Sequence, residues 1–231
     1  MPLNQYQQEV GPSLVDATPG KVPDITLLDG RYCSVEHLTV AEHYEDILDF
    51  YFTNQILSDW TYMYVDPFES EEAVRQCLED YEQSSNPYFF AIRDKVSGKV
   101  LGTFSLMAIT PKNRSVEMGR VILAPAIQKT RVATEAQYLV MKYVFEGLNY
   151  RRYEWKCDSL NRPSVTAAQR LGFTYEGCFR NHAIYKGRSR NTDWFSIIDS
   201  EWPRLKERFE NWLAPENFDE QGQQKRSLRD C

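Results

Sequence analysis

The segment Gln128-Lys129-Thr130-Arg131-Val132-Ala133-Thr134 carries the clearest chemical signal in the chain. It follows the strand-like run Val116-Glu117-Met118-Gly119-Arg120-Val121-Ile122-Leu123, which Pro125 closes. It opens a run in which Val132, Ala136, Leu139, Val140, Tyr143 and Val144 recur at helical spacing. A strand that feeds a helix start aims unpaired N–H groups and the positive end of the helix dipole at one spot, a seat suited to phosphate. Lys129 and Arg131 add charge there. An ordinary strand-to-helix corner with its basic residues in water reads the same way locally, so the decision rests on what surrounds it.

The elements around this corner alternate. A short strand near 31–35 leads to a helix with Tyr44, Ile47, Leu48 and Tyr51 on one face. Ser70, followed by Glu71 and Glu72, caps a second helix whose apolar face is Ala73, Val74, Cys77, Leu78 and Tyr81. Strands at 88–92, 100–109 and 114–123, joined by turns at Ser97-Gly98 and Pro111-Lys112-Asn113, predict an antiparallel meander. After the helix that ends near Gly147 comes a strand at 152–157. A short helix is then capped by Asn161, has Pro163 in its first turn and stops at Gly172. Two strands flank Lys186-Gly187-Arg188, and Leu205, Phe209, Trp212 and Leu213 predict a last amphipathic helix. Residues 1–24 read as an extended arm, 25–213 as one domain and 214–231 as a polar, flexible tail.

The chain has 231 residues, 42% hydrophobic and 26% charged, which fits one soluble globular core. No run approaches the ~20 apolar residues of a membrane span, and residues 1–24 lack a secretory signal's basic start and apolar stretch. The five cysteines are odd in number and scattered, and the three histidines form no H-E-x-x-H pair, so neither a disulfide framework nor a metal site is expected. The expected setting is cytoplasmic and reducing. A net charge of -6 argues against a nucleic-acid partner and is compatible with a cationic amine.

Three pieces then combine: the loop 128–133, the turn Asn161-Arg162-Pro163-Ser164, and the run Arg170-Leu171-Gly172-Phe173-Thr174-Tyr175-Glu176-Gly177, with Glu201-Trp202 later. Together they resemble the GNAT N-acetyltransferase superfamily, in particular the branch related to ribosomal-protein N-terminal acetyltransferases. The resemblance implies an α/β fold with a mixed, mostly antiparallel sheet of six to seven strands flanked by helices and splayed at a central parallel pair. It implies acetyl-CoA as cosubstrate, its pyrophosphate on the N–H groups of Lys129, Thr130, Arg131, Val132, Ala133 and Thr134, with Gln128 beginning the loop. Leu123 and Asn161 would meet the pantetheine arm. Arg131 stands where the family usually has glycine, and its side chain is expected to bond the phosphate.

Acyl transfer to an amine needs a proton acceptor, a stabilised oxyanion and a partner for the leaving thiolate. The resemblance assigns the last role to Ser164, whose alternative is a locally satisfied first-turn residue. It assigns the base to Glu117, whose alternative is an ion pair with Arg114 or Arg120. The branch's own glutamate position falls on Ala183, so that base is absent; His182 beside it would face away unless a bulge intervenes. Asp193, Trp60 and Tyr62 are the expected amine-side residues, with Tyr64 beside them. The expected activity is acetylation of a primary amine on a small molecule or peptide N-terminus by a monomer or homodimer, without nucleic-acid or membrane partners and without a metal. The alternative is a non-catalytic acyl-CoA-binding or sensor protein on the same scaffold.

Overall fold

The computed structural model describes residues 1–231. Its helices begin where the capping residues dictate. Ser70 Oγ accepts the Ala73 N–H at 3.2 Å and opens α2 (Glu71–Gln83), behind α1 (Val40–Leu48). Thr130 precedes α3 (Arg131–Lys142), whose continuation Tyr143–Gly147 widens so that Leu148 N–H reaches Tyr143 O at 2.9 Å. Asn161 Oδ1 accepts the Ser164 N–H at 3.2 Å and starts α4 (Arg162–Leu171). Gly172 ends α4 at φ +100°, a conformation that disfavours any side chain. The last helix is α5 (Trp202–Leu213).

The strands are β1 (Leu27–Asp29), β2 (Cys33–His37), β3 (Tyr88–Asp94), β4 (Val100–Thr110), β5 (Ser115–Leu123), β6 (Arg152–Asp158), β7 (Thr174–Tyr185) and β8 (Arg188–Ile198). They form one sheet in the order β1-β2-β3-β4-β5-β6-β8-β7, antiparallel except at β5–β6. Eight strands replace the six to seven expected, because three-residue β1 is too short to carry a readable alternation.

One face of the sheet is covered by α3 and α5, with Met118, Trp155, Phe195 and Ile197 packed in the cluster that includes Ala136, Val140 and Phe209. Each such fully buried side chain stabilises the fold by about 1.5–3 kcal/mol. On the other face, α1 and α2 cover only the β2–β4 end, through Ile47, Val74 and Leu78 against Phe89, Ala91 and Val100. Polar residues of β5, β6 and β8 occupy the rest of that face.

The parallel pair is short. It runs from Ser115 opposite Arg152 to Met118 opposite Trp155, then stops, although β5 continues to Leu123 and β6 to Asp158. A bulge explains the divergence. Gly119 sits opposite Ser105 but Ile122 opposite Thr103, and Arg120 between them has φ +54°. The extra residue bends β5 away from its parallel neighbour, leaving residues 119–123 with no strand on that side. The expected splay is therefore present.

Residues 214–231 do not project as a free tail. Phe218 and Leu228 are buried, and Asn217 Nδ2 donates to Trp212 O at 2.9 Å, so the polar segment is anchored by its few apolar side chains. The last part of the arm, residues 16–24, lies along the domain, with Gly20 N–H on Pro111 O at 3.0 Å and Lys21 N–H on Leu148 O at 3.2 Å.

Candidate active site

The α3 N-terminus presents free donors. The N–H groups of Lys129, Arg131, Val132 and Ala133 have no acceptor within the protein, whereas Thr130 N–H is bound to Ile127 O and Thr134 N–H to Thr130 O. The expected row from Lys129 to Thr134 therefore narrows to four donors. Gln128 does not point outward as a ligand; its Nε2 donates to Leu123 O at 3.0 Å and ties the loop to the end of β5. Lys129 adopts φ +62° at the turn into the helix.

Arg131 departs from expectation. Its guanidinium lies over the Tyr32 ring at 4.4 Å and the Phe218 ring at 5.3 Å, directed at the folded-back C-terminal segment rather than offered to phosphate. Its backbone N–H stays free. A second cation near this helix start, which sequence reasoning missed, is Arg170: its Nη1 donates to Thr134 Oγ1 at 3.1 Å while its guanidinium lies 5.1 Å from the Trp212 ring centroid. Burial, then the charges of Arg208 and Arg229, lower the Arg170 pKa. In the sequence Arg170 belongs to the motif run before Gly172, and nothing in its spacing links it to Thr134.

Beside the splay, Ser164 is held by two bonds. Its N–H is capped by Asn161, and its Oγ accepts the Trp155 indole N–H at 3.0 Å. An oxygen accepting from an indole turns its own proton elsewhere. Burial raises the Cys157 thiol to about 11, the neighbouring Ser164 hydroxyl only partly opposing it, so Cys157 remains a thiol. Asn161 spends its oxygen on the helix cap, leaving its amide nitrogen for any ligand.

Glu117 is 8% exposed and sits on the uncovered face. Neither Arg114 nor Arg120 pairs with it: Lys156 Nζ does, at 2.8 Å, and also reaches Glu154 Oε2 at 2.8 Å while resting 4.0 Å from the Trp194 ring centroid. The partner comes from the parallel neighbour strand, which a one-strand reading cannot supply. Burial raises the Glu117 carboxyl above its ordinary range, opposed by Lys156.

Alternation on β8 separates the other expected residues. Trp194 and Thr192 share the Glu117 face, while Asp193 lies between Cys157 and Cys178 on the opposite face, away from Glu117. Trp60 is 2% exposed, edge-on to Tyr51 and Phe68, and so fills the core beneath α1 rather than lining a pocket. Its carbonyl accepts Lys186 Nζ at 2.8 Å, docking this loop on the β7–β8 hairpin. Tyr62 and Tyr64 follow it, and the Tyr64 and Tyr185 rings lie 5.5 Å apart. Tyr185 in turn donates to Asp158 Oδ2 at 2.7 Å.

A bulge does intervene in β7. Phe179 faces Thr192 but Ala183 faces Arg190, and Asn181 has φ +51°. His182 is thereby brought to the Glu117 side, with Nδ1 3.0 Å from Thr192 Oγ1 and its ring edge-on to Trp194. The site thus has a phosphate-suited helix end, a strand edge without a neighbour, a serine hydroxyl at the splay and a buried carboxylate on the far face.

The family profile of the acetyltransferase (GNAT) domain matches residues 37–174. The chain belongs to the GNAT acetyltransferase family. A GCN5-related N-acetyltransferase from Brucella melitensis has a similar structure, with a TM-score of 0.91 and 43% identity over 94% of this chain and 98% of that one. An uncharacterized N-acetyltransferase p20 of Bacillus licheniformis is 29% identical over 144 residues, 61% of this chain and 80% of the relative. A spermidine N(1)-acetyltransferase of Escherichia coli K12 is 25% identical over 130 residues, 56% of this chain and 68% of the relative. This GNAT enzyme has no helix long and apolar enough to cross a membrane.

Proposed function

We propose that the enzyme transfers an acetyl group from acetyl-CoA to a primary amine by direct attack in a ternary complex. The observation that carries this reading is the convergence at the splay: an unpaired β5 edge, four free N–H groups at the start of α3, and Ser164 beside the gap. These fit an extended pantetheine arm ending in a pyrophosphate. Lys129, Arg131, Val132 and Ala133 would hold the pyrophosphate through backbone N–H groups, with Arg170 adding charge. The Arg131 side chain lies outside this seat, so its presence in place of glycine does not block the approach.

The amine approaches from the Glu117 face. It must be neutral to attack; Glu117, raised in pKa by burial, takes its proton directly or through water. The nitrogen lone pair adds to the thioester carbonyl carbon, the C–S bond breaks, and the sulfur leaves against the Ser164 hydroxyl. A serine oxygen already accepting from Trp155 is oriented to donate. Cys157, kept as a thiol, is a poor nucleophile, which favours direct transfer over an acyl-enzyme. The test is release of free thiol from acetyl-CoA across a panel of amines, amino acids and short peptides, with Glu117→Gln and Ser164→Ala beside wild type. Loss of turnover in both variants with acetyl-CoA binding retained supports the assignment. Binding without thiol release for any amine favours a non-catalytic sensor.

A further inference from the structure

Arg190 is 6% exposed, yet it makes no ion pair. Its Nε donates to Thr192 Oγ1 at 3.0 Å, and its guanidinium lies against Tyr64 and Tyr185, 4.9 and 5.6 Å from their ring centroids. Its two terminal NH2 groups make no hydrogen bond to the protein. Both terminal NH2 groups keep contact with solvent, so they are open to a ligand that brings the missing carboxylate. The nearby carboxylates are already engaged: Glu117 by Lys156, Asp158 by Tyr185 and the Leu160 N–H, and Asp66 by Lys186.

The position is informative. Arg190 lies on the same face as Trp194, Lys156 and Glu117, the face from which the amine approaches, and its charge reaches Glu117. It is on the opposite side of the sheet from the α3 helix cluster, so the phosphates of the cosubstrate are not its partner. The aromatic rings of Tyr64 and Tyr185 fix its plane, which suits the forked, two-bond recognition of a carboxylate.

Resting on the acetyltransferase reading above, we infer that the acceptor is an amine that also carries a carboxylate, an amino acid or a molecule of that class, and that Arg190 binds its carboxylate while Glu117 faces its nitrogen. The Nε bond to Thr192 sets the orientation. Because Thr192 Oγ1 accepts from Arg190, its own proton is free for His182 Nδ1, so the three side chains form one ordered chain. A polyamine, cationic throughout, would meet an uncompensated guanidinium here.

The experiment compares matched acceptors: phenylalanine against 2-phenylethylamine, leucine against 3-methylbutylamine, and spermidine as the amine with no carboxylate. Wild-type kcat/KM is read from thiol release. A pair giving no thiol is read by calorimetric binding in the presence of coenzyme A. The expected result is a preference of about 10- to 100-fold for at least one carboxylate-bearing member over its partner, with spermidine behind. In Arg190→Gln the ratio within that pair falls toward one whatever the absolute rates, and Arg190→Lys restores part of it. Equal preference within every wild-type pair, or preference for spermidine, overturns the proposal and needs no variant to fold. A ratio that survives Arg190→Gln overturns it as well. Thiol release with the carboxylate-free amines alone would leave the acetyltransferase reading standing while removing this one.

Discussion

Replacing Lys156 with methionine tests how the buried carboxylate is held. The ammonium lies 2.8 Å from Glu117 and 2.8 Å from Glu154, whose residues are direct register partners on β5 and β6. At that separation and an effective dielectric of ~20, one such pair is worth about 6 kcal/mol of Coulomb attraction before desolvation is deducted. Removing one partner of a buried pair costs about 3–5 kcal/mol. Glu154 keeps Arg152 at 2.6 Å, and although burial pushes its carboxyl up, the bonds from Arg152 and Lys156 more than offset that. Glu117 has no second cation in contact, so it is the group that takes up a proton. Its folded pKa already lies above the unfolded value because of burial. A carboxyl of that kind binds protons more tightly when folded, so stability falls as pH rises through its folded pKa. In Lys156→Met the loss measured by urea denaturation should reach about 3–5 kcal/mol at mildly alkaline pH and shrink on the acid side. The acid limb of kcat/KM should move to higher pH. Adding Glu117→Gln to the variant should relieve most of the alkaline penalty. An equal loss at both pH extremes, or an unmoved acid limb, would refute the view that Lys156 holds Glu117 ionised.

Ser164→Ala should lower kcat by about 10- to 100-fold with little change in acetyl-CoA affinity by calorimetry, since the hydroxyl acts on the leaving sulfur. Glu135 is 5% exposed and accepts the N–H groups of Arg31, Tyr32 and Cys33 at 2.8, 2.6 and 2.8 Å. Glu135→Ala would orphan all three, and at about 1–3 kcal/mol per buried group the urea midpoint should fall by the equivalent of about 3 kcal/mol or more. Trp60→Ala should destabilise by about 3–5 kcal/mol, seen in thermal melts, as expected of a core aromatic.

What was legible in the sequence was local. Ser70, Asn161 and Gly172 mark helix ends because capping depends on neighbours a few residues away, and the loop at 128–134 reads as a helix start for the same reason. The polar residues of the site were less legible because they depend on register. Lys156 meets Glu117 only once β6 lies parallel to β5, and Arg170 meets Thr134 only once α4 packs beside α3. The bulge at Asn181 reversed the facing of His182, since strict alternation assumes one residue per ladder position. Trp60 shows the converse error: an aromatic in a loop reads as available for ligand, yet large rings are where a loop finds its anchor. Phe218 and Leu228 did the same for the C-terminal segment, whose average polarity concealed them.

The short β5–β6 pairing has a mechanical consequence. The sheet is two half-sheets, β1–β5 and β6–β8, joined along their backbones by only four register pairs from Ser115 to Met118. Force applied across the strands would load this seam between the two halves of the sheet, where the pairing covers less than half of β5. A ligand arm bridging both lips of the gap would act as a splint, so the enzyme should resist unfolding under load more strongly when its cosubstrate is seated.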